Sequence, residues 1–274
     1  MGDTIPGGPP VTPRVLLLHG LLSSSAAWLP LRRELGASVD TIAPDLLGYG
    51  AAPRPRGDYT LERVVEHLLP LVARERPTHV LGHSMGGIIA LALARELPGQ
   101  FERVGLAGLP VYSGRADGLA HLHQRGALFR AVLHSDFVSH IGCDALHQTR
   151  GAWGPASPLI AKHRPREVLV TIFDHSRESH SGSFDRIVFA GLVEELAARQ
   201  SRPVAALHGG RDRSAPIGRV RELAGRHGWD FAVAPTASHQ IVIERPRLTA
   251  SWLRERLLGA TAQSSAANAA PVAP

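Results

Sequence analysis

The sequence contains one cysteine, Cys143, two methionines and one lysine, Lys162, in 274 residues. A lone thiol excludes an internal disulfide and any cysteine-rich metal site, and it is compatible with a reducing, cytoplasmic setting. No apolar run approaches the roughly 20 residues of a membrane helix, so no membrane association is expected. The first ten residues hold neither a basic cluster nor an apolar core, so no ordinary secretory leader is expected. A hydrophobic share of 44% against 20% charged residues excludes a disordered chain.

What is plentiful is arginine. The net charge is +6, and every basic residue except Lys162 is an arginine. These arginines alternate with acids, as in Arg32-Arg33-Glu34 and Arg74-Glu75-Arg76. Nucleic-acid binders gather charge on one face and add a recognisable module. Neither is present, so a solvated basic surface is expected and no nucleic-acid partner.

Short apolar runs alternate with amphipathic segments. The runs are Val15–Leu18, Ser38–Ala43, His79–Leu81, Val104–Ala107, Val204–Leu207 and Phe231–Ala234. Continuous runs of this kind suit strands covered on both faces. Helical patterns fall at Leu61–Arg74, Met85–Glu96, Gly218–Arg226 and Pro246–Leu258. The alternation predicts an α/β fold with a mostly parallel, doubly wound sheet. Residues from about 111 to 189 break this rhythm, with helix-like pieces at Leu119–Leu133 and Arg166–Phe173. A segment so long is not a plain loop, and it is expected to be a helical lid. The predicted organisation is a core over 13–110 and 190–261, a lid over 111–189, and flexible arms at 1–12 and 262–274.

Ligands of parallel sheets bind beyond the carboxyl ends of the strands, so the residues following each run matter most. After the third run comes Gly82-His83-Ser84-Met85-Gly86-Gly87, which opens the helix that follows. This is Gly-x-Ser-x-Gly in a strand–turn–helix setting, a turn sharp enough to need small neighbours and to leave Ser84 exposed. A serine becomes nucleophilic through a base, and the base through an orienting carboxylate. Asp212 follows the fifth run and His239 the sixth, on the same rim as Ser84. Asp45 and Asp117 are rival acids; Asp45 precedes the serine within a turn, whereas Asp117 follows the fourth run. His19, His83 and His208 also lie near strand ends, but none follows the last strand, so each is expected to be packed and hydrogen-bonded.

With these residues in place, the chain resembles the α/β-hydrolase-fold superfamily over roughly Arg14 to Leu258. His19-Gly20-Leu21 is similar to its His-Gly turn, and Asp45-Leu46-Leu47-Gly48-Tyr49-Gly50 to its Asp-x-x-Gly-x-Gly loop. Asp212 with Pro216, and His239 with Glu244 and Pro246, match the positions of its acid and base. The resemblance implies a Ser84–His239–Asp212 triad, with the backbone N–H groups of Leu21 and Met85 forming the oxyanion hole. It implies no cofactor. One departure is Thr236-Ala237-Ser238, where the family often has glycine just before the histidine.

Eight of the fifteen histidines fall within the lid segment. They lack metal-ligand spacing, so no metal is expected; their protonation would loosen the lid in acid. Trp153, Phe129 and Phe137 suggest an apolar pocket. The expected partner is a small-molecule acyl substrate, cleaved as an ester, thioester or lactone through an acyl-enzyme. Alternatives are carbon–carbon bond hydrolysis or lyase chemistry with the same triad, or a non-catalytic binding protein on this fold. His19 to Trp28 also resembles the opening of the menaquinone-pathway lyase branch. Serine at position 84 argues against the dehalogenase and epoxide hydrolase branches. Oligomeric state is not legible.

Overall fold

The computed structural model describes residues 12–123 and 175–259. Six strands form one sheet: β1 Arg14–Leu18, β2 Asp40–Ile42, β3 His79–His83, β4 Arg103–Ala107, β5 Val204–Gly209 and β6 Asp230–Ala234. Their order is β2-β1-β3-β4-β5-β6, and every neighbouring pair is parallel. All six apolar runs are therefore strands, and the doubly wound α/β class is as expected.

The side chains of β1 show why the sheet carries helices on both faces. Successive residues of a strand point to opposite sides. Leu16 and Leu18 join one buried cluster, Val15 and Leu17 the other. The same alternation separates Val104 and Leu106 from Ala107, and Val204 and Ala206 from Ala205 and Leu207. On the first face lie α2 (Leu61–Glu75), α3 (Met85–Glu96), α6 (Val193–Ala198) and α7 (Ile217–His227). On the second lie α1 (Leu29–Leu35), α8 (Ile241–Glu244) and α9 (Pro246–Trp252), the last extended by a wide turn over Leu253–Leu257. Trp28, Trp252 and Leu257 fill this second layer. The predicted helix over Pro246–Leu258 is thus two consecutive turns types, while α1 and α8 carried no signal strong enough to be expected.

The edges depart from the two-sided burial expected of every strand. All residues of β2 are half-buried, and in β6 only Ala234 is buried, with Val233 exposed. An edge strand has a neighbour on one side only, so its apolar residues are covered less completely.

Two further helices lie within the segment predicted as the lid: α4 (Arg115–His123) and α5 (Arg177–Ser183), the latter running into a wide turn over Phe184–Val188. α5 is fastened to the loop after β2. The Tyr49 hydroxyl donates to the Ser179 carbonyl at 3.0 Å, and Ser179 Oγ donates to the Gly48 carbonyl at 2.9 Å. The helix expected over Arg166–Phe173, most of that over Leu119–Leu133, and Trp153, Phe129 and Phe137 lie outside the described residues. No helix among the described residues is long and apolar enough to cross a membrane.

Candidate active site

The sheet order has one point where the chain reverses direction. From β1 it moves outward to β2, then returns to place β3 on the other side of β1. A crevice opens beyond the carboxyl ends of the two strands flanking such a point. His19-Gly20-Leu21 leaves β1 on one side of it, and Ser84 leaves β3 on the other.

Ser84 has φ 53° and ψ −120°, a backbone conformation that costs a non-glycine residue on the order of 1–3 kcal/mol. Its surroundings hold it there. Ser84 N–H donates to the Ala107 carbonyl at 2.8 Å, and the Ser84 carbonyl accepts from Gly87 N–H at 2.8 Å. The flanking glycines are required by close approach. A Cβ on Gly82 would collide with the Gly86 carbonyl, and one on Gly86 with the Leu18 carbonyl of β1. The elbow is therefore wedged between two strands. Met85 begins α3, so its N–H belongs to the first turn of that helix, which has no intrahelical acceptor.

His239 and Asp212 arrive from loops after β6 and β5. Asp212 Oδ2 lies 2.7 Å from His239 Nδ1, and His239 Nε2 lies 2.9 Å from Ser84 Oγ. An ionised carboxylate only accepts, so Nδ1 carries the ring proton and Nε2 is left to accept from the serine hydroxyl. The Asp212 side chain is fully buried. Its other oxygen accepts from Ser214 N–H at 2.7 Å and Ala215 N–H at 2.9 Å. Burial raises its pKa, but His239 and the two amides outweigh that effect, and the carboxyl sits below its ordinary value. The three predicted residues are therefore brought together in one hydrogen-bonded line.

The departure at Ser238 has a structural use. Ser238 Oγ donates to Glu244 Oε1 at 2.7 Å, and Ser238 N–H donates to Glu244 Oε2 at 3.2 Å. The base loop is thus tied to α8 by a side chain that glycine would not supply.

The rival residues take other places. Asp117 pairs in bidentate fashion with Arg219, through Nη1 and, at 2.7 Å, Nη2. It also caps Ser113 N–H at 2.9 Å, and the Arg219 contact leads the causes that hold its pKa well below the carboxylate range. Asp45 accepts from Ser25 N–H at 2.6 Å and Ala51 N–H at 2.8 Å, and so fixes its own turn.

His19 donates from Nδ1 to the Gly20 carbonyl at 2.8 Å and accepts at Nε2 from Leu46 N–H at 3.0 Å, which locks it neutral. Burial pushes its pKa down to about 4. His83 Nε2 donates to the His239 carbonyl at 2.8 Å, and burial lowers its pKa to about 3. His208 differs from the expectation of a hydrogen-bonded histidine. It is completely buried beneath Asp212, with Nδ1 at 3.5 Å from Oδ2, and neither ring nitrogen makes a hydrogen bond. The short stretch from β5 into the acid loop sets it four residues before Asp212, near the carboxylate but outside bonding geometry. Burial lowers its pKa to about 4, and it stays neutral.

Ser84 and His239 open into a cavity of about 340 Å³, a size suited to a small molecule. Among the described residues its lining divides by origin. Leu21 and Leu22 come from the turn after β1, and Tyr112, Leu122, Phe184 and Val188 from the described ends of the segment predicted as the lid. Arg211, Arg213, Ser214, Ser238 and Gln240 come from the loops after β5 and β6. The position of Leu21 in the wall beside Ser84 was legible from the His-Gly turn. Tyr112 and Arg211 had no signal of their own in the sequence.

A sequence model described as the Alpha/beta hydrolase family matches residues 15–252. Monoacylglycerol lipase abhd6-B of Xenopus laevis is 25% identical over 276 residues, covering 93% of this chain and 78% of the lipase. Probable lysophospholipase BODYGUARD 1 of Arabidopsis thaliana is 27% identical over 231 residues, covering 74% of this chain and 49% of the plant protein. The chain spans under two thirds of several curated relatives, 28% of uncharacterized mycobacterial proteins and 23% of probable lysophospholipases BODYGUARD 2 and 3. Among solved structures, a hydrolase from Pseudomonas aeruginosa PA01 superposes with a TM-score of 0.68 at 25% identity, over 92% of each chain.

Proposed function

The chain belongs to the alpha/beta hydrolase family, and from that premise we propose that it is a serine hydrolase of a small carboxylic ester, thioester or lactone. The observation that carries this reading is the line Ser84 Oγ–His239–Asp212, at 2.9 and 2.7 Å, with a buried and doubly capped carboxylate at its end. The names of the Xenopus lipase and the plant lysophospholipase favour an ester.

His239 Nε2 takes the hydroxyl proton as Ser84 Oγ bonds to the substrate carbonyl carbon. The imidazolium that forms is stabilised by Asp212, which stays ionised. The N–H groups of Met85 and Leu21 receive the developing oxyanion, each contributing about 3 kcal/mol. His239 then gives its proton to the leaving oxygen or sulfur, and an acyl-enzyme remains on Ser84. Water, deprotonated by the same imidazole, attacks that acyl carbon; the bond to Ser84 Oγ breaks, His239 returns the proton to Oγ, and the acid is freed. His19 and His83 bond through ring nitrogens to backbone groups, whereas His239 Nε2 lies against Ser84 Oγ, so His239 acts as the base.

Ser84→Ala should lower turnover of a short-chain nitrophenyl ester by at least about 10⁴-fold. Labelling by a serine-directed phosphonate should vanish as well. Full labelling of the variant would overturn the assignment. A single slow acylation of the wild type, without turnover, would favour a binding protein instead.

A further inference from the structure

We propose that the substrate carries an oxyanionic group, a carboxylate or a phosphate, and that Arg211 holds it at the cavity wall. The proposal rests on the reading of Ser84 as the acylated serine and narrows the substrate class of that site.

Three observations carry it. Arg211 lines the cavity, yet among the described residues its guanidinium makes no hydrogen bond and no ion pair. This contrasts with Arg219, eight positions on, which is committed to Asp117. Second, the backbone that projects Arg211 is fixed beside the base. Its N–H donates to the Ala237 carbonyl at 2.9 Å, two residues before His239, and the next residue is Asp212. Third, no described residue of the lining is an aspartate or glutamate that would neutralise Arg211. The wall from the loops after β5 and β6 therefore offers the Arg211 cation beside hydroxyl and amide groups, whereas Leu122, Phe184 and Val188 supply an apolar part of the lining. A neutral substrate would leave the Arg211 charge without a partner in the cavity.

A guanidinium offers a planar fork of donors that matches carboxylate and phosphate oxygens, so the complementary ligand is an oxyanion. Arg211 is exposed, and its contact with a bound anion should be moderate in strength and weakened by salt. An ester with one apolar part and one anionic part fits both portions of the lining.

The test compares kcat/KM within two matched pairs. In the first, the 4-nitrophenyl monoester of adipic acid is set against 4-nitrophenyl hexanoate, which places the anion on the acyl group. In the second, butyryl glycerol 3-phosphate is set against monobutyrylglycerol, which places it on the leaving group. At low ionic strength at least one anionic member should be preferred by about fivefold or more, and the pair that shows the preference identifies the anion's source. The ratio should fall in R211Q, be partly kept in R211K, and invert in R211E. A general loss of fold lowers both members and leaves the ratio in place, so the ratio reports recognition alone. The proposal is overturned if neither pair favours its anion in the wild type, or if the preference survives in R211E. Turnover of neutral esters without anion preference removes this proposal and leaves the serine mechanism standing. Absence of turnover and of Ser84 labelling removes both.

Discussion

The segments that follow β4 and β5 each deliver an aspartate, Asp117 from the first turn of α4 and Asp212 from a loop, and the two carboxylates meet opposite fates. Asp117 faces a guanidinium near the surface and is spent on a bidentate ion pair with Arg219. Asp212 is fully buried, accepts two backbone amides on one oxygen and turns the other to His239. Both pKa values lie below the ordinary range, so the charge alone does not separate them. What separates them is the partner. Asp117 turns both oxygens to Arg219 and Ser113, whereas Asp212 is held by amides on one oxygen and turns the other to the His239 ring N–H.

The sharpest way to break this comparison is to neutralise each acid in turn. Asp212→Asn should lower kcat/KM of an ester substrate by roughly 10³–10⁴-fold, because the amide favours the wrong imidazole tautomer. A loss of tenfold or less, measured by steady-state kinetics, would mean that Asp212 does not orient His239.

Next in size is the response of stability to acid, which comes from the Asp212 side of the molecule. His19, His83 and His208 are buried and neutral, with pKa values of about 4, 3 and 4. Unfolding returns each to about 6.5, so below that pH the unfolded chain binds more protons and stability falls as pH falls. Each histidine adds a slope of about 1.4 kcal/mol per pH unit, between about 6.5 and its own folded value. Asp212, with a lowered pKa, adds further loss only below about 4. Urea unfolding at pH 7, 6 and 5 should show the decline, and His208→Phe should reduce its slope by about 1.4 kcal/mol per pH unit. Equal stability at pH 7 and 5 would contradict the buried, neutral assignment.

The smallest effect is expected on the other acid. Asp117→Asn should cost about 1 kcal/mol or less, since the pair with Arg219 is partly exposed and screened. Ester turnover should stay within about threefold of wild type. A thousandfold loss would reverse the roles assigned to the two aspartates.

How much of this was legible depends on how far apart the interacting residues lie. The elbow is local: Gly82, Ser84 and Gly86 stand within five residues, and their spacing already implies a turn that excludes side chains. The structure adds which backbone each glycine meets, including the Leu18 carbonyl of a strand 68 positions earlier. The strands were legible as apolar runs, although the partial exposure of β2 and β6 depends on their places at the sheet edges. α1 escaped notice because its seven residues carry Arg32, Arg33 and Glu34 among the apolar ones, and its stability comes from packing on α9 and the wide turn after it. The use of Ser238 to bind Glu244, and the lack of any bond to His208, follow from loop paths that no local pattern encodes.

By itself the sequence determined the alternation of strands and helices, the elbow with its serine, and the two loops able to supply an acid and a base. Those features rest on near-neighbour chemistry: backbone sterics, side-chain periodicity and the small residues a sharp turn demands. Tertiary structure decided which aspartate turns toward His239, which histidines stay neutral, and which side chains line the cavity. These depend on partners brought together from positions as far apart as Ser84 and His239, where burial and the nearest donor, rather than residue type, fix what each group does.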